Sequence, residues 1–169
     1  GGDALLRGRL SRVETEGETI VDGTRTNSEV LGALTPLVAH GSVLLVDAAE
    51  PLDDAELTNR LIEPHLRNLA EYSFGEYYPA GLVPCLISAD GLTRIRALVD
   101  AAPAIAKAPF RWEKVHKLIE ADINSFDVES VADIGPLTMR RISFRTDSHR
   151  GRLAIARVRE KLGDAAGYR

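Results

Sequence analysis

The stretch SVLLVDA, residues 42–48, is the part of this sequence that says most about its fold. Its apolar residues follow one another without interruption, which is typical of a strand buried on both faces of a sheet. A second apolar run, LVPCLIS at 82–88, has the same character. We predict two further strands at 110–118 and 137–144, so the chain supplies a sheet of about four strands.

Helical patterns separate these strands. Helices are predicted near 27–34, near 53–72 and from Asp90 onward, because each begins with a capping residue and repeats apolar residues at helical spacing. Pro64 lies inside the second helix, which indicates a kink or two short helices in succession. A short helix is also predicted at 3–13.

The alternation of helices and strands predicts one globular domain over 1–169 of the α/β or α+β class, with a small mixed or parallel sheet packed against helices. Residues 119–136 are rich in turn formers and predict an inserted loop, and 74–81 also predict a loop. The last element, 152–162, fits both a helix and the second strand of a hairpin, and its strong helix formers favour the helix.

The composition is that of an ordinary folded protein. The chain has 169 residues, of which 44% are hydrophobic and 27% charged, enough to bury a core without crosslinks. Its one cysteine excludes an intrachain disulfide and fits a reducing compartment. Because neither a signal peptide nor a membrane-spanning apolar run is evident, we expect a cytoplasmic protein without membrane contact.

Charge is distributed unevenly along the chain. Residues 137–169 contain nine Lys or Arg and three Asp or Glu, a local charge of +6, whereas the whole chain carries −4. Arginine suits sites that hold phosphate or carboxylate. The alternative is that the basic end folds against the acidic body. The candidate residues for binding phosphate or an acidic partner are Arg140, Arg141, Arg145, Arg150 and Arg152.

The segment EYSFGEYY, residues 71–78, is both acidic and aromatic. Tyr-rich loops make good contact surfaces, because tyrosine offers a large area at a small entropic cost. The alternative is that these rings pack over an edge of the core. The candidate partner-binding residues are Tyr72, Phe74, Tyr77 and Tyr78.

Motifs that would assign a reaction are absent. The sequence has no glycine-rich phosphate loop, no GxSxG and no His or Cys pairs at metal-ligand spacing, so we predict neither a cofactor nor a metal site. Asp47 and Ser88 end the two best strands. In parallel α/β sheets ligands bind at the carboxyl ends of strands, so these residues, with Glu50 and Asp90, are where chemistry is expected.

Taken alone, the sequence favours a non-catalytic binding or interaction domain that uses the Tyr-rich loop and the Arg-rich C-terminal segment. A protein is the expected partner, and the arginines also permit nucleic acid. The alternative is an enzyme acting on a phosphorylated or nucleic-acid substrate, with Asp47 and Asp90 working beside a C-terminal arginine. A third reading is a part of a larger assembly whose partner supplies the missing function.

Overall fold

The computed structural model describes residues 25–47, 49–132 and 142–163. Within these ranges, a four-stranded sheet is packed with six α-helices, which confirms the predicted fold class. Of the alternatives that the sequence left open, the structure has the α/β class and the mixed sheet. The strands are β1 (Val43–Leu45), β2 (Tyr72–Glu76), β3 (Cys85–Ile87) and β4 (Val128–Ala132). The helices are α1 (Asn27–Leu34), α2 (Ala55–Arg67), α3 (Ala89–Asp100), α4 (Pro103–Ala106), α5 (Trp112–Ala121) and α6 (His149–Leu162).

The sheet has the strand order β1-β3-β2-β4. β3 runs antiparallel to both of its neighbours, whereas β4 runs parallel to β2. β1, β2 and β4 therefore point in one direction and β3 alone opposes them. The ends at Leu45, Glu76 and Ala132 lie together, and we call this side of the sheet the carboxyl edge.

Helices cover both faces of the sheet because side chains along each strand alternate between two cores. In β3, Cys85 and Ile87 belong to a core shared with α1, α3 and α5, and Leu86 belongs to a second core shared with α2. Ser73 of β2 also points toward α2, where its hydroxyl lies 2.7 Å from Nδ1 of the buried His65. α5 and α2 therefore lie on opposite faces.

Short polar side chains cap four of the described helices, α1, α2, α3 and α6. The Asp54 carboxylate accepts hydrogen bonds from the first amides of α2, and Ser88 accepts one at the start of α3, with Asp90 in the first turn rather than at the cap. α1 lies where predicted, but its cap is Thr26 and not, as predicted, Asn27 or Ser28. α2 continues through Pro64 to Arg67 as one helix, so the prediction of two short helices is wrong.

The strand predicted at 110–118 is wrong, because Trp112–Ala121 is the helix α5. Val115 and Ile119 are both fully buried and lie four residues apart, so one helical face is apolar while charged residues fill the other. The aromatic residues at the start of this segment suggested a strand. The spacing of its two buried aliphatic residues indicates the helix.

Two strands form where loops were predicted. β2 occupies Tyr72–Glu76, the beginning of the Tyr-rich segment, and the loop predicted at 119–136 contains the end of α5 and all of β4 in its described part. The VESVA sequence of β4 is mostly exposed or half-buried, so it lacks the apolar run that marks a buried strand. Its pairing with β2 over five residues supplies the backbone hydrogen bonds that stabilise it.

The predicted strand at 137–144 lies mainly outside the described residues, as does the predicted helix at 3–13. Ser143 forms an isolated parallel bridge with Ala80. The last element is the helix α6, which is the favoured of the two alternatives. No helix in the described part of the chain is both long and apolar enough to cross a membrane.

Candidate functional site

Residues 142–147, which we call the edge strap, cross the carboxyl edge of the sheet before α6 begins. The Phe144 amide donates to the Ala80 carbonyl at 2.7 Å, and the Thr146 amide donates to the Ala49 carbonyl at 2.8 Å. These two bonds hold Arg145 against the segment that follows β1. The strap therefore brings a basic residue from the C-terminal segment to the end of a strand.

Arg145 lies at the centre of a group of carboxylates. Its Nη2 is 2.9 Å from Oδ2 of Asp47 and its Nε is 3.1 Å from Oδ2 of Asp147, while Nη1 donates to Glu50. The Arg145 side chain is only 14% exposed, as is that of Glu50. We call Asp47, Glu50, Asp53 and Arg145 the edge cluster. Its acids outnumber its one cation, so it retains negative charge.

Asp53 is the unusual carboxyl group of the edge cluster. Both of its carboxylate oxygens are buried and accept no hydrogen bond from a described residue. Burial, and then the charges of Glu50 and Asp47, raise the pKa of Asp53 to about 8. Burial also raises the pKa of Glu50, against the opposing charge of Arg145. Asp53 therefore holds a proton near neutral pH and can exchange it there, a property typical of functional sites.

Replacing Asp53 with Asn is expected to remove a pH dependence of stability. Unfolded Asp53 loses its proton near pH 4 and folded Asp53 only near pH 8, so the unfolded state binds fewer protons between these values. As the pH rises through this window, the free energy of unfolding of the unmodified chain should therefore fall, relative to that of Asp53→Asn, by up to about 1.4 kcal/mol per pH unit. Urea denaturation at pH 5 and pH 8 measures this difference, and an equal difference at both values would contradict the assignment.

An open cleft of about 320 Å³ lies beside Arg145 at the start of α5. We call it the α5 cleft. Lys117 is paired with Glu113 at 2.7 Å, and Arg145 with Asp147. The cleft is lined by Arg111, Trp112, Glu113, Lys114, Lys117, Arg145 and Asp147. Four cations and two acids thus surround one half-buried tryptophan.

The strand-end residues singled out from the sequence do not all come together. Asp47 and Glu50 meet at Arg145, but Ser88 follows β3, which runs antiparallel, so Val43 pairs with Ile87 at the opposite edge. Ser88 caps α3 there and Asp90 is exposed beside it. The expectation of one shared carboxyl edge for Asp47 and Ser88 is wrong because the two strands are not parallel.

The Tyr-rich segment does not form one exposed loop. Tyr72 is 1% exposed, and its hydroxyl lies 2.8 Å from Nδ1 of His116. Phe74 stacks on the Tyr72 ring, and Tyr78 is half-buried against the second core. Tyr77 is 55% exposed with a φ of 65°, in the left-handed region that non-glycine residues seldom adopt. That Tyr77 contacts another molecule stays a prediction.

The arginines of the C-terminal segment are found in different surroundings. Arg140 and Arg141 lie outside the described residues. Arg145 folds against acids of the body, as the alternative for the basic end expected. Arg152 donates to the Thr146 carbonyl at 2.7 Å, and Arg150 is exposed on α6. Phosphate binding by Arg150 and Arg152 stays a prediction.

Sequence reasoning missed Asp53, which it assigned to a helix start, and the cations of α5, which it placed in a strand. The signal for the cations was available, since the segment RWEKVHK alternates bulky and charged residues at a spacing that also fits a helix. Nothing in the sequence marks Asp53, because its burial depends on the fold. Among the described residues, no group of three His, Cys, Asp or Glu is arranged to hold a metal ion.

Comparison with known proteins gives a similarity in structure and none in sequence. No family model matches the chain and no curated protein matches it. A solved structure of a cytidylyltransferase from Leptospira borgpetersenii serovar Hardjo-bovis (strain JB197) superposes with a TM-score of 0.62 at 12% sequence identity. The two proteins share a fold. The match covers 85% of this chain, which spans 60% of the length of that structure.

This similarity corrects the function favoured by the sequence. The prediction of a non-catalytic binding or interaction domain is contradicted, because the matching structure is an enzyme. The alternative, an enzyme, agrees better with this finding. Of the residues that this alternative combined, Asp47 contacts Arg145, whereas Asp90 lies at the opposite edge of the sheet.

Proposed function

We propose that this chain belongs to an enzyme that transfers a nucleotidyl group from a nucleoside triphosphate to an oxygen of an acceptor. The observation that carries the proposal is the contact of Arg145 with Asp47 and Glu50 at the carboxyl edge of the sheet. It is supported by the similarity of the whole fold to that of a solved cytidylyltransferase. In open α/β sheets, ligands bind outside the carboxyl ends of the strands. CTP is the first donor to test, because the name of the similar enzyme denotes cytidylyl transfer.

In this reaction an acceptor oxygen forms a bond to the α-phosphorus of the triphosphate. The bond from that phosphorus to the oxygen bridging to the β-phosphate breaks, and pyrophosphate leaves with its electron pair. A hydroxyl acceptor must also lose a proton. Such transfers depend mainly on positioning and on electrostatic stabilisation. A side chain that holds the acceptor and takes its proton is therefore the main contribution expected from the chain.

Asp47 is the carboxylate best placed to take that proton. Its side chain is 28% exposed, twice the exposure of Glu50, so an acceptor hydroxyl can reach it. The Ala49 amide donates to its Oδ1 at 2.8 Å and Arg145 to its Oδ2 at 2.9 Å, which holds the carboxylate in one orientation. Arg145 acts as a positioning residue, because its guanidinium is already bound by three carboxylates.

The proposal is tested by pyrophosphate release from CTP, ATP, GTP and UTP, each with a panel of acceptors that carry a hydroxyl or a phosphate. Release with at least one donor and acceptor is expected, and Asp47→Asn should slow it about 100-fold or more, since general-base catalysis contributes factors of this size. Asp90→Asn is the matched control, because Asp90 is an exposed acid at the opposite edge. No release with any pair, or equal loss in both variants, would contradict the proposal.

A further inference from the structure

We propose that the α5 cleft binds the phosphate chain and the base of a single nucleotide, with Arg111 and Lys114 contacting phosphate and Trp112 contacting the base. The inference rests on the proposed function for the choice of a nucleotide. The inference goes beyond the proposed function by assigning the nucleotide to residues outside the edge cluster. Arg145 belongs to the edge cluster and also lines the α5 cleft, so the two sites are adjacent.

The charge of the cleft favours an anion that carries several negative charges. Lys117 and Arg145 are neutralised by Glu113 and by the acids around Arg145. Arg111 and Lys114 are exposed, and neither side chain forms an ion pair or hydrogen bond with a described residue. These two cations are therefore available, and phosphate oxygens are the ligands that such side chains hold best.

The edge cluster itself is a poor place for phosphate. Asp47, Glu50 and Asp147 surround the guanidinium of Arg145, so each of its three nitrogens already donates to a carboxylate and the group keeps net negative charge. A triphosphate would be repelled there and attracted a short distance away by Arg111 and Lys114. This division puts the phosphates in the cleft and leaves Asp47 for the acceptor.

Trp112 extends the site beyond phosphate. Its ring lies 6.1 Å from the Tyr72 ring, centroid to centroid, at 55° to it, so one side packs on the core while the residue also lines the cleft. An aromatic face beside cations suits a nucleobase joined to phosphates. The volume of about 320 Å³ falls in the small-molecule range, which favours one nucleotide over a nucleic-acid strand.

The chain offers a direct readout, because Trp112 is its only tryptophan. Titration with sodium pyrophosphate and with CTP should change the emission of Trp112, and Arg111→Ala/Lys114→Ala should raise both dissociation constants about tenfold or more. Arg60→Ala removes an exposed charge on α2, across the sheet, and should leave both constants unchanged. Calorimetry should show that Trp112→Leu binds CTP about tenfold more weakly and binds pyrophosphate with an unchanged dissociation constant.

Several results would overturn the inference. These are unchanged emission with both ligands, equal weakening by Arg60→Ala and by the double variant, or undiminished CTP binding to Trp112→Leu. The test is separate from that of the proposed function, because it measures equilibrium binding without an acceptor. Nucleotide binding in the cleft without pyrophosphate release would support the binding site and contradict the proposed reaction. Pyrophosphate release without binding in the cleft would contradict the binding site alone.

Discussion

Replacing Arg145 with Met is expected to lower the free energy of unfolding by about 1.5–3 kcal/mol at pH 7, because it leaves the half-buried carboxylates of Asp47 and Glu50 without their cation. Asp47, Glu50 and Asp147 all contact this guanidinium, which is 14% exposed. The stability of Arg145→Lys should fall between those of Arg145→Met and the unmodified chain, since a single ammonium cannot reproduce the contacts of a planar guanidinium with three acids. Urea denaturation gives the free energy of unfolding of all three proteins.

The pH dependence of this loss distinguishes electrostatics from packing. The charge of Arg145 lowers the pKa of Glu50 against the larger effect of burial, so removing that charge lets Glu50 protonate at higher pH. The stability gap between Arg145→Met and the unmodified chain should therefore narrow as the pH falls from 7 to 5. Arg157→Met removes an exposed arginine of α6 and should change stability by less than about 0.5 kcal/mol. A loss for Arg145→Met as small as this would contradict the edge cluster.

Replacing Gly151 with Ala is expected to destabilise the chain by about 1–3 kcal/mol and to displace the edge strap. A Cβ at Gly151 would lie 2.0 Å from the Arg145 carbonyl oxygen and 2.9 Å from the Ser148 hydroxyl, and contacts under 3.0 Å are not formed. Because the carbonyl is backbone, α6 and the strap must separate. Arg145 should then lose its alignment with Asp47, and pyrophosphate release should slow together with the loss of stability.

Gly32→Ala is the matched control for this substitution. Gly32 also lies within a helix, α1, but a Cβ there meets no atom within 4 Å. Alanine should stabilise that helix by about 0.5–1 kcal/mol, since glycine is the poorer helix former. Thermal unfolding of both variants gives the comparison. Equal effects at Gly151 and Gly32 would show that α6 does not pack closely on the strap.

The elements that could be predicted are those whose apolar pattern shows in their own residues, although β1 is a half-buried edge strand and not, as predicted, a strand buried on both faces. β1 and β3 are apolar runs, and α1, α2 and α3 carry capping residues followed by apolar stripes. β2 and β4 could not be predicted in this way. Gly75 interrupts β2, and β4 has no continuous apolar run and is mostly exposed or half-buried. The two strands are stabilised by pairing with each other, between segments more than 50 residues apart.

The candidate site was predictable in part. Asp47 and Glu50 could be chosen because they follow an apolar strand, and Arg145 because it lies in a basic segment. Their contact depends on the edge strap, whose hydrogen bonds to Ala80 and Ala49 join distant parts of the chain. The sequence does not mark Asp53 or Trp112 as site residues, because the burial of Asp53 and the position of Trp112 in the cleft depend on residues distant in the chain.

By itself the sequence determined a domain of the α/β or α+β class, the places of its most apolar strands and most regular helices, and an excess of positive charge at its C-terminal end. Those properties follow from hydrophobic periodicity, capping and composition, which are local. Only the tertiary structure decided that β3 runs against its neighbours, that Arg145 is surrounded by acids and that Asp53 holds a proton. Strand direction, ion pairing and burial depend on contacts between residues far apart in the chain, and no local pattern records them.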